Sequence, residues 1–176
     1  MHNENPLSKY FWLCLVKIVP LFKKAWNPFR FMDNEKPLQQ SRLKVKTDLQ
    51  ALTEVLQWFE QFTSPLLPKQ FCWQCQLALV EGFTNAVRHA HRDLPQTTPI
   101  ELELKVFAHC VEMRIWDQGQ PFELEAQLNE ALRWLPPDLL EQEGGRGLIF
   151  MHQLTDELSY SRLSDQRNCL LMRKQR

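Results

Sequence analysis

Glycine placement is the feature of this chain that most restricts how it can fold. Only five of its 176 residues are glycine, whereas roughly 7% is usual for a globular protein. Four of the five lie in two short clusters, Asp117-Gln-Gly119-Gln-Pro121 and Gly144-Gly145-Arg146-Gly147. Glycine permits backbone conformations and close approaches that other residues do not. The two clusters therefore mark places where the backbone bends sharply or lies directly against something else.

The second cluster directly precedes the apolar stretch Leu148-Ile-Phe-Met151, which predicts a helix beginning near Gly147. Bare backbone amides at the start of a helix are well suited to bind a phosphate group. A flexible hinge at a helix start would use the same glycines, so their placement alone leaves both interpretations open.

Overall composition indicates one ordinary globular domain. Hydrophobic residues make up 44% and charged residues 24% of the chain, and 176 residues suffice for one full-sized domain but not two. Lysine plus arginine and aspartate plus glutamate both number 21, a balance that does not favour nucleic acid as a direct partner. The five cysteines, an odd number without a clear secretory signal, favour a reducing compartment. We therefore expect a cytoplasmic protein.

Residues 1–40 are predicted to be an extension and linker outside the domain. Residues 10–22 form the most apolar run, but a spanning helix needs roughly 20 such residues, and Lys17 and Pro20 interrupt this one. Three interpretations stay open. Residues 10–30 could form a basic segment that contacts a membrane surface or a partner, or an additional helix docked on the domain. Alternatively, they are upstream sequence, and translation starts near Met32.

Hydrophobic periodicity predicts an α+β domain over residues 41–176. Strands are expected at residues 42–47, 100–107, 111–117, 157–162 and 168–173, and helices from about 48 to 63, from about 68 to 92 and from near 147. Alternation of Glu101, Glu103 and Lys105 with apolar neighbours predicts that one face of the sheet is exposed to water. This grouping indicates a two-layer α/β sandwich, with helices on one face of a mostly antiparallel, mixed sheet. Residues 118–143 form a long acidic loop that could contain one short helix.

Polar side chains at two places in this pattern could carry chemistry. Glu81, Asn85 and His89 share one stripe of the second predicted helix. Asparagine is unfavourable inside a helix, but its oxygen can hold Mg²⁺, and a glutamate one turn earlier can act as a general base. Asp117 ends a strand and can accept a hydrogen bond from an exocyclic amine such as that of adenine. A solvated helix face and a plain Asp-x-Gly turn are the alternatives.

Taken together, the three clusters resemble the ATP-binding motifs of the GHKL superfamily, which includes gyrase, Hsp90, sensor histidine kinases and MutL. The motifs are Glu81-Gly-Phe-Thr-Asn85-Ala-Val-Arg-His89, Asp117-Gln-Gly119-Gln-Pro121-Phe122 and Gly144-Gly-Arg-Gly-Leu148. Their detailed form is similar to that of the anti-sigma-factor serine kinases. The resemblance covers roughly residues 41–174 and implies a Bergerat-type ATP-binding fold with a lid loop at residues 120–143.

The resemblance implies a role for each matching residue. Asn85 would coordinate the Mg²⁺ that bridges the ATP phosphates, Glu81 would be the catalytic base for an attacking serine, and His89 would orient the Asn85 side of the site. The residues that would contact the nucleotide itself are Asp117 at the adenine amine, Gly119 beside the base, the amides of Gly145 and Gly147 at the phosphates, Arg146 at the γ-phosphate, and Leu148.

The activity implied by the resemblance is that of a protein serine/threonine kinase that uses ATP and Mg²⁺. It would phosphorylate a STAS-like antagonist protein and control a sigma factor by binding it, and it could form a homodimer, as relatives in this branch often do. The alternative is a non-catalytic module that switches partners with or without ATP. Direct contact with nucleic acid is not expected.

Overall fold

The computed structural model describes residues 35–133 and 146–176. The predicted ligand Gly145 and residues 134–143 of the predicted lid lie outside these ranges, as does the proposed extension up to residue 34. The elements in chain order are β1 (Gln39–Lys46), a 3₁₀ turn (Leu49–Ala51), α1 (Leu52–Thr63), α2 (Lys69–Asn85), a π turn (Ala86–Ala90), β2 (Pro99–Val106), β3 (Cys110–Asp117), α3 (Leu124–Arg133), α4 (Arg146–Leu154), β4 (Glu157–Arg162) and β5 (Asn168–Gln175).

The five strands form one sheet in the order β1-β2-β3-β5-β4. All four neighbouring pairs are antiparallel. The sheet was predicted to be mixed, but its described strands include no parallel pair. The helices pack on the face that carries the alternate apolar residues of β2, β3 and β5. The predicted α+β sandwich is confirmed. Within the acidic loop, α3 occupies Leu124–Arg133, where a short helix was expected.

The core lies between α1, α2 and the sheet. Val55 and Phe59 recur one turn apart on α1 and are both buried, as are Leu79 and Phe83 on α2. The Asp48 side chain caps the turn before α1 by accepting a hydrogen bond from Gln50 N–H at 2.9 Å, which satisfies a donor that the helix start leaves unpaired. Packing of one apolar stripe on an apolar sheet face thus fixes α2 directly over β3 and β5.

The opposite sheet face differs from the prediction of a wet surface. Glu103 and Glu112 on this face are only 1% and 2% exposed, because long cationic side chains from neighbouring strands lie around them. Arg42 Nε donates to Glu103 at 2.7 Å, and Arg173 Nε donates to Glu112 at 2.6 Å. Burial acts to raise the pKa of Glu103, but hydrogen bonds from Arg42 and Lys105 outweigh it and hold that pKa below its ordinary value.

Within residues 35–133 and 146–176, no helix is long and apolar enough to cross a membrane. The Cys72-Trp-Gln-Cys75 pair serves the fold. Cys75 is fully buried in the core, where burial raises the pKa of its thiol to about 12. The Cys72 thiol donates to the carbonyl oxygens of Thr63 and Leu67.

Candidate functional site

Helix α2 does not continue to residue 92 as predicted. Its α-helical part ends at Asn85, and Ala86–Ala90 form a π turn, closed by the hydrogen bond from His91 N–H to the Ala86 carbonyl at 2.9 Å. Such wide turns are rare and occur frequently at functional sites. Here the change of pitch begins directly after Asn85, the residue predicted to hold Mg²⁺.

Gly147 on α4 lies directly against the Glu81 and Asn85 side chains of α2. A Cβ atom on Gly147 would be 2.8 Å from Glu81 Oε2, 3.3 Å from Asn85 Nδ2 and 3.4 Å from Asn85 Oδ1. Only glycine leaves this space open. The structure therefore brings the first and third sequence motifs into contact, as the predicted site requires.

Glu81 is half-buried, and burial raises the pKa of its carboxyl above the ordinary value. The positive charges of Arg146 and Arg88 act in the opposite direction and favour the carboxylate. A carboxylate of raised basicity is a better proton acceptor near neutral pH than an exposed glutamate. Arg146, the first residue of α4, thus acts electrostatically on the predicted base.

Asp117 lies at the end of β3 and is 5% exposed. Its Oδ1 accepts hydrogen bonds from Gly119 N–H at 2.8 Å and from Asn168 Nδ2 at 2.7 Å. The hydrogen bonds from the described residues to this carboxylate both reach Oδ1, which leaves Oδ2 for a ligand. Asp117 also lines a cavity, so a buried acceptor with fixed orientation faces the space where a ligand would lie.

Asn168 and Arg162 support Asp117 and were missed by the sequence analysis. Asn168 is fully buried and pairs with Asp117 in the register of β5 and β3. Arg162 Nη1 donates to Asn168 Oδ1 at 2.8 Å and to the Gly119 carbonyl at 3.0 Å. No local pattern predicts that residues 117 and 168 are opposite each other, because this pairing depends on the strand order of the whole sheet.

The structure shows a contact of Gly119 that the sequence analysis did not predict, and its role beside the adenine base stays a prediction. A Cβ atom at this position would be 2.2 Å from the Ala90 carbonyl oxygen and 2.6 Å from the Ala90 carbonyl carbon. Gly119 thus allows the turn after β3 to lie against the backbone at the end of the π turn. This contact joins the Asp117 motif to the segment that carries Asn85.

These residues surround a cavity of about 350 Å³, at the lower end of the size range of small-molecule sites. Apolar walls come from Ile115, Met151 and Leu170. The predicted site residues that line it are Asn85, His89, Asp117, Gly147 and Leu148. Gly119 lies against the Ala90 backbone, while Glu81 lies against Gly147, which lines the cavity.

Two side chains that line the cavity offer hydrogen-bonding groups to a polar ligand. The Tyr160 ring lines the cavity and packs on Phe122 with ring centroids 4.3 Å apart. Its hydroxyl is buried and has no hydrogen-bond partner in the described part of the chain. Burial and the nearby Asp117 carboxylate raise the pKa of Tyr160, so the hydroxyl stays protonated as a donor. The Asn85 amide likewise makes no hydrogen bond with the described residues and is available to a ligand.

Comparison with known proteins agrees with this geometry. The profile of the histidine kinase-like ATPase domain matches residues 45–174. The chain belongs to this family. Curated proteins that resemble it include the serine-protein kinase RsbW of Bacillus licheniformis, 33% identical over 85 residues, and that of Staphylococcus epidermidis, 30% identical over 86 residues. The matches cover 47% and 48% of this chain.

The chain spans about half the length of these curated relatives, 53% and 54% respectively. The matches confirm the predicted resemblance to the serine-kinase branch of this ATPase family. The roles of individual site residues stay predictions, which the geometry above makes testable.

Alanine substitutions at two of the described motif glycines, Gly119 and Gly147, should distinguish a residue needed for the fold from one that lies in the site. We expect Gly119→Ala to lower the free energy of unfolding by about 1–3 kcal/mol, because its methyl group meets the rigid Ala90 backbone. Gly147→Ala should cost less than about 1 kcal/mol, since its methyl group meets the movable end of Glu81 and alanine favours a helix. Urea denaturation measures both. Equal destabilisation by the two substitutions would contradict the assigned contacts.

Proposed function

We propose that this chain is an ATP- and Mg²⁺-dependent protein serine/threonine kinase of the anti-sigma-factor type. The observation that carries the proposal is the meeting of Glu81, Asn85 and Gly147 at one side of the cavity. A half-buried carboxylate of raised pKa thereby lies next to the residues suited to hold Mg²⁺ and phosphate. A module that only binds nucleotide would not need a proton acceptor at this place.

The residues present fit ATP with Mg²⁺. ATP would supply the phosphoryl group, and Mg²⁺ would neutralise part of the phosphate charge. Asn85 would hold the metal ion through its side-chain oxygen, since Mg²⁺ is commonly bound by one or two protein oxygens together with phosphates. Asp117 Oδ2 would accept a hydrogen bond from the exocyclic amine of adenine, and the apolar walls at Ile115, Met151 and Leu170 would hold the base. The backbone amide of Gly147, in the first turn of α4, would bind the phosphates.

Glu81 accepts the proton of the serine or threonine hydroxyl that attacks the phosphoryl group. The burial that raises its pKa makes it a stronger base than an exposed glutamate, while the positive charges of Arg146 and Arg88 favour its ionised form. Arg146 also stabilises the negative charge that accumulates during transfer. Asn85, one helical turn from Glu81, holds the metal side of the site in a fixed relation to this base.

The protein substrate that we propose is a STAS-like antagonist, and the regulated partner is a sigma factor held by binding. Support comes from the relatives named serine-protein kinase and from the three motifs shared with the anti-sigma branch. The test is incubation of the purified chain with Mg²⁺-ATP and candidate antagonists, followed by phosphopeptide mapping. Phosphoserine on an antagonist is expected. Its absence with every candidate, while ATP still binds, would remove the kinase assignment.

Calorimetric titration tests the nucleotide and metal part of the proposal directly. Wild-type protein should bind ATP more tightly with Mg²⁺ than with a chelator. Asn85→Ala should weaken Mg²⁺-ATP binding by about tenfold or more, because a metal ligand is lost. Its affinity measured in chelator should change much less, so the benefit of Mg²⁺ nearly disappears. Equal weakening under both conditions would show that Asn85 contacts something other than the metal ion.

A further inference from the structure

His91 is a buried imidazole that none of the assigned roles uses. It follows the π turn, is 2% exposed and makes a hydrogen bond through each ring nitrogen. Nδ1 lies 2.6 Å from Thr47 Oγ1. Nε2 accepts a hydrogen bond from Gln118 N–H at 2.8 Å. Gln118 is the residue between Asp117 and Gly119, so His91 contacts the turn that follows the adenine-side carboxylate.

These contacts fix the protonation state of the ring. Gln118 N–H is a donor, so Nε2 must carry a lone pair and not a proton. The Thr47 hydroxyl donates to the Thr98 carbonyl at 2.6 Å, which makes Thr47 Oγ1 the acceptor of the Nδ1 proton. The chain Gln118 N–H, His91, Thr47, Thr98 is therefore complete with a neutral imidazole protonated at Nδ1.

We propose that His91 is a positioning residue that holds the Asp117–Gly119 turn against the end of the π turn that follows α2. We call this contact, of Ala90 and His91 with the Asp117–Gly119 turn, the joint. Ala90, the neighbour of His91, supplies the backbone surface that Gly119 touches, so two consecutive residues fix the same turn. One side of this joint carries Asn85, for the metal and phosphates, and the other carries Asp117, for the base. The inference rests on the proposed nucleotide binding and deepens it, since it names the residue that holds the Asp117 turn in a fixed position relative to the Asn85 segment.

Protonation of Nε2 would disrupt this joint. An imidazolium has no acceptor for Gln118 N–H, so the turn would lose its hydrogen bond in acid. Burial lowers the pKa of His91, while the Asp117 carboxylate on β3 acts to raise it. The side facing β1 and the segment before β2 offers neutral groups, the Thr47 hydroxyl and the Thr98 carbonyl. The joint should therefore be intact above about pH 6.5, the ordinary pKa of histidine, and weaken as the pH falls through the lower pKa of the buried ring.

Two substitutions separate the contacts of the two ring nitrogens of His91. His91→Gln can place an amide oxygen near the Nε2 position, which keeps an acceptor for Gln118 N–H that does not titrate. His91→Asn reaches only the Nδ1 position and leaves Gln118 N–H unpaired. We expect His91→Asn to weaken Mg²⁺-ADP binding about tenfold at about pH 8, and His91→Gln to stay within about threefold of wild type. His109→Gln, in the β2–β3 connection at the far end of β3, is the matched control.

The pH profile distinguishes positioning from general stability. Wild-type affinity for Mg²⁺-ADP should fall more steeply between about pH 8 and about pH 5 than that of His91→Gln. In the nucleotide-free proteins, the Gln118 amide proton should exchange with solvent faster than in wild type in His91→Asn but not in His91→Gln. An unchanged Gln118 amide in His91→Asn, or identical pH profiles for wild type and His91→Gln, would overturn the inference. Failure of wild-type protein to bind Mg²⁺-ADP at about pH 8 would overturn the proposed function instead, and the Gln118 amide would still decide the role of His91.

Discussion

Replacing Glu81 with glutamine is expected to lower the rate of phosphotransfer to the antagonist by about 10²–10⁴-fold, the usual contribution of a general base. Glutamine has nearly the same shape and still fits beside Gly147, but it cannot accept the proton of the attacking hydroxyl. Affinity for Mg²⁺-ATP should stay within about threefold of wild type, because the change acts on the transition state and not on nucleotide binding. Single-turnover transfer and calorimetry measure the two quantities separately.

Glu60→Gln provides the matched control, since Glu60 is exposed on α1. It should leave both transfer rate and affinity unchanged. The pH dependence adds a second check. Because burial raises the pKa of Glu81, wild-type transfer should increase with pH through a transition above the ordinary glutamate value. Normal transfer by Glu81→Gln would show that another group accepts the proton and would remove Glu81 as the catalytic base.

Because the pKa of Glu81 is raised in the folded protein, Glu81→Gln should increase the free energy of unfolding at neutral pH. A folded-state pKa raised by burial means that the protonated acid is the form favoured by folding. Its stabilising contribution is fully present below the ordinary pKa of glutamate and is lost as the pH rises through the folded-state pKa. Glutamine removes the buried charge. The variant should therefore gain on wild type as the pH increases, which thermal unfolding at several pH values would detect.

The element types of the fold were predictable because they depend on local patterns. Alternating residues identified β1 to β5, and an apolar stripe with capping and proline signals identified α1 and α2. The end of α2 was not predictable. Residues 86–92 have ordinary helical composition, whereas the π turn lies where this segment packs on the turn after β3, a contact between residues far apart in sequence.

The candidate site shows the same division. Glu81, Asn85 and Gly147 could be selected from residue type and spacing, and the structure brings them together. Asn168, Arg162 and His91 could not, because each acts on the Asp117 turn from another strand or helix end. The burial of Glu103 depends in part on the same cause, since Arg42, which pairs with it, comes from the neighbouring strand β1. Sequence pattern thus identified the predicted nucleotide contacts and missed the groups that hold them in place.

Replacing Asp117 with asparagine should remove most of the affinity for ATP, by about 100-fold, and reduce the preference for ATP over GTP. The hydrogen bonds to Oδ1 determine this result. Gly119 N–H and Asn168 Nδ2 both donate to that atom, so the asparagine oxygen must occupy the same position. Its amino group then takes the place of Oδ2 and faces the exocyclic amine of adenine, donor against donor. The O6 atom of guanine is an acceptor and could pair with it.

Competition between ATP and GTP for a fluorescent nucleotide measures both parts of this prediction. Asp156→Asn is the control, since Asp156 accepts from Gln175 N–H at 2.8 Å at the opposite end of β5 and should leave affinity and preference unchanged. Asn168→Ala tests the support of Asp117. It frees Oδ1 of one donor, so it should weaken ATP binding without favouring GTP. If Asp117→Asn kept the wild-type preference for ATP, the base would have to be recognised elsewhere in the cavity, and the unpaired Tyr160 hydroxyl would become the first residue to test.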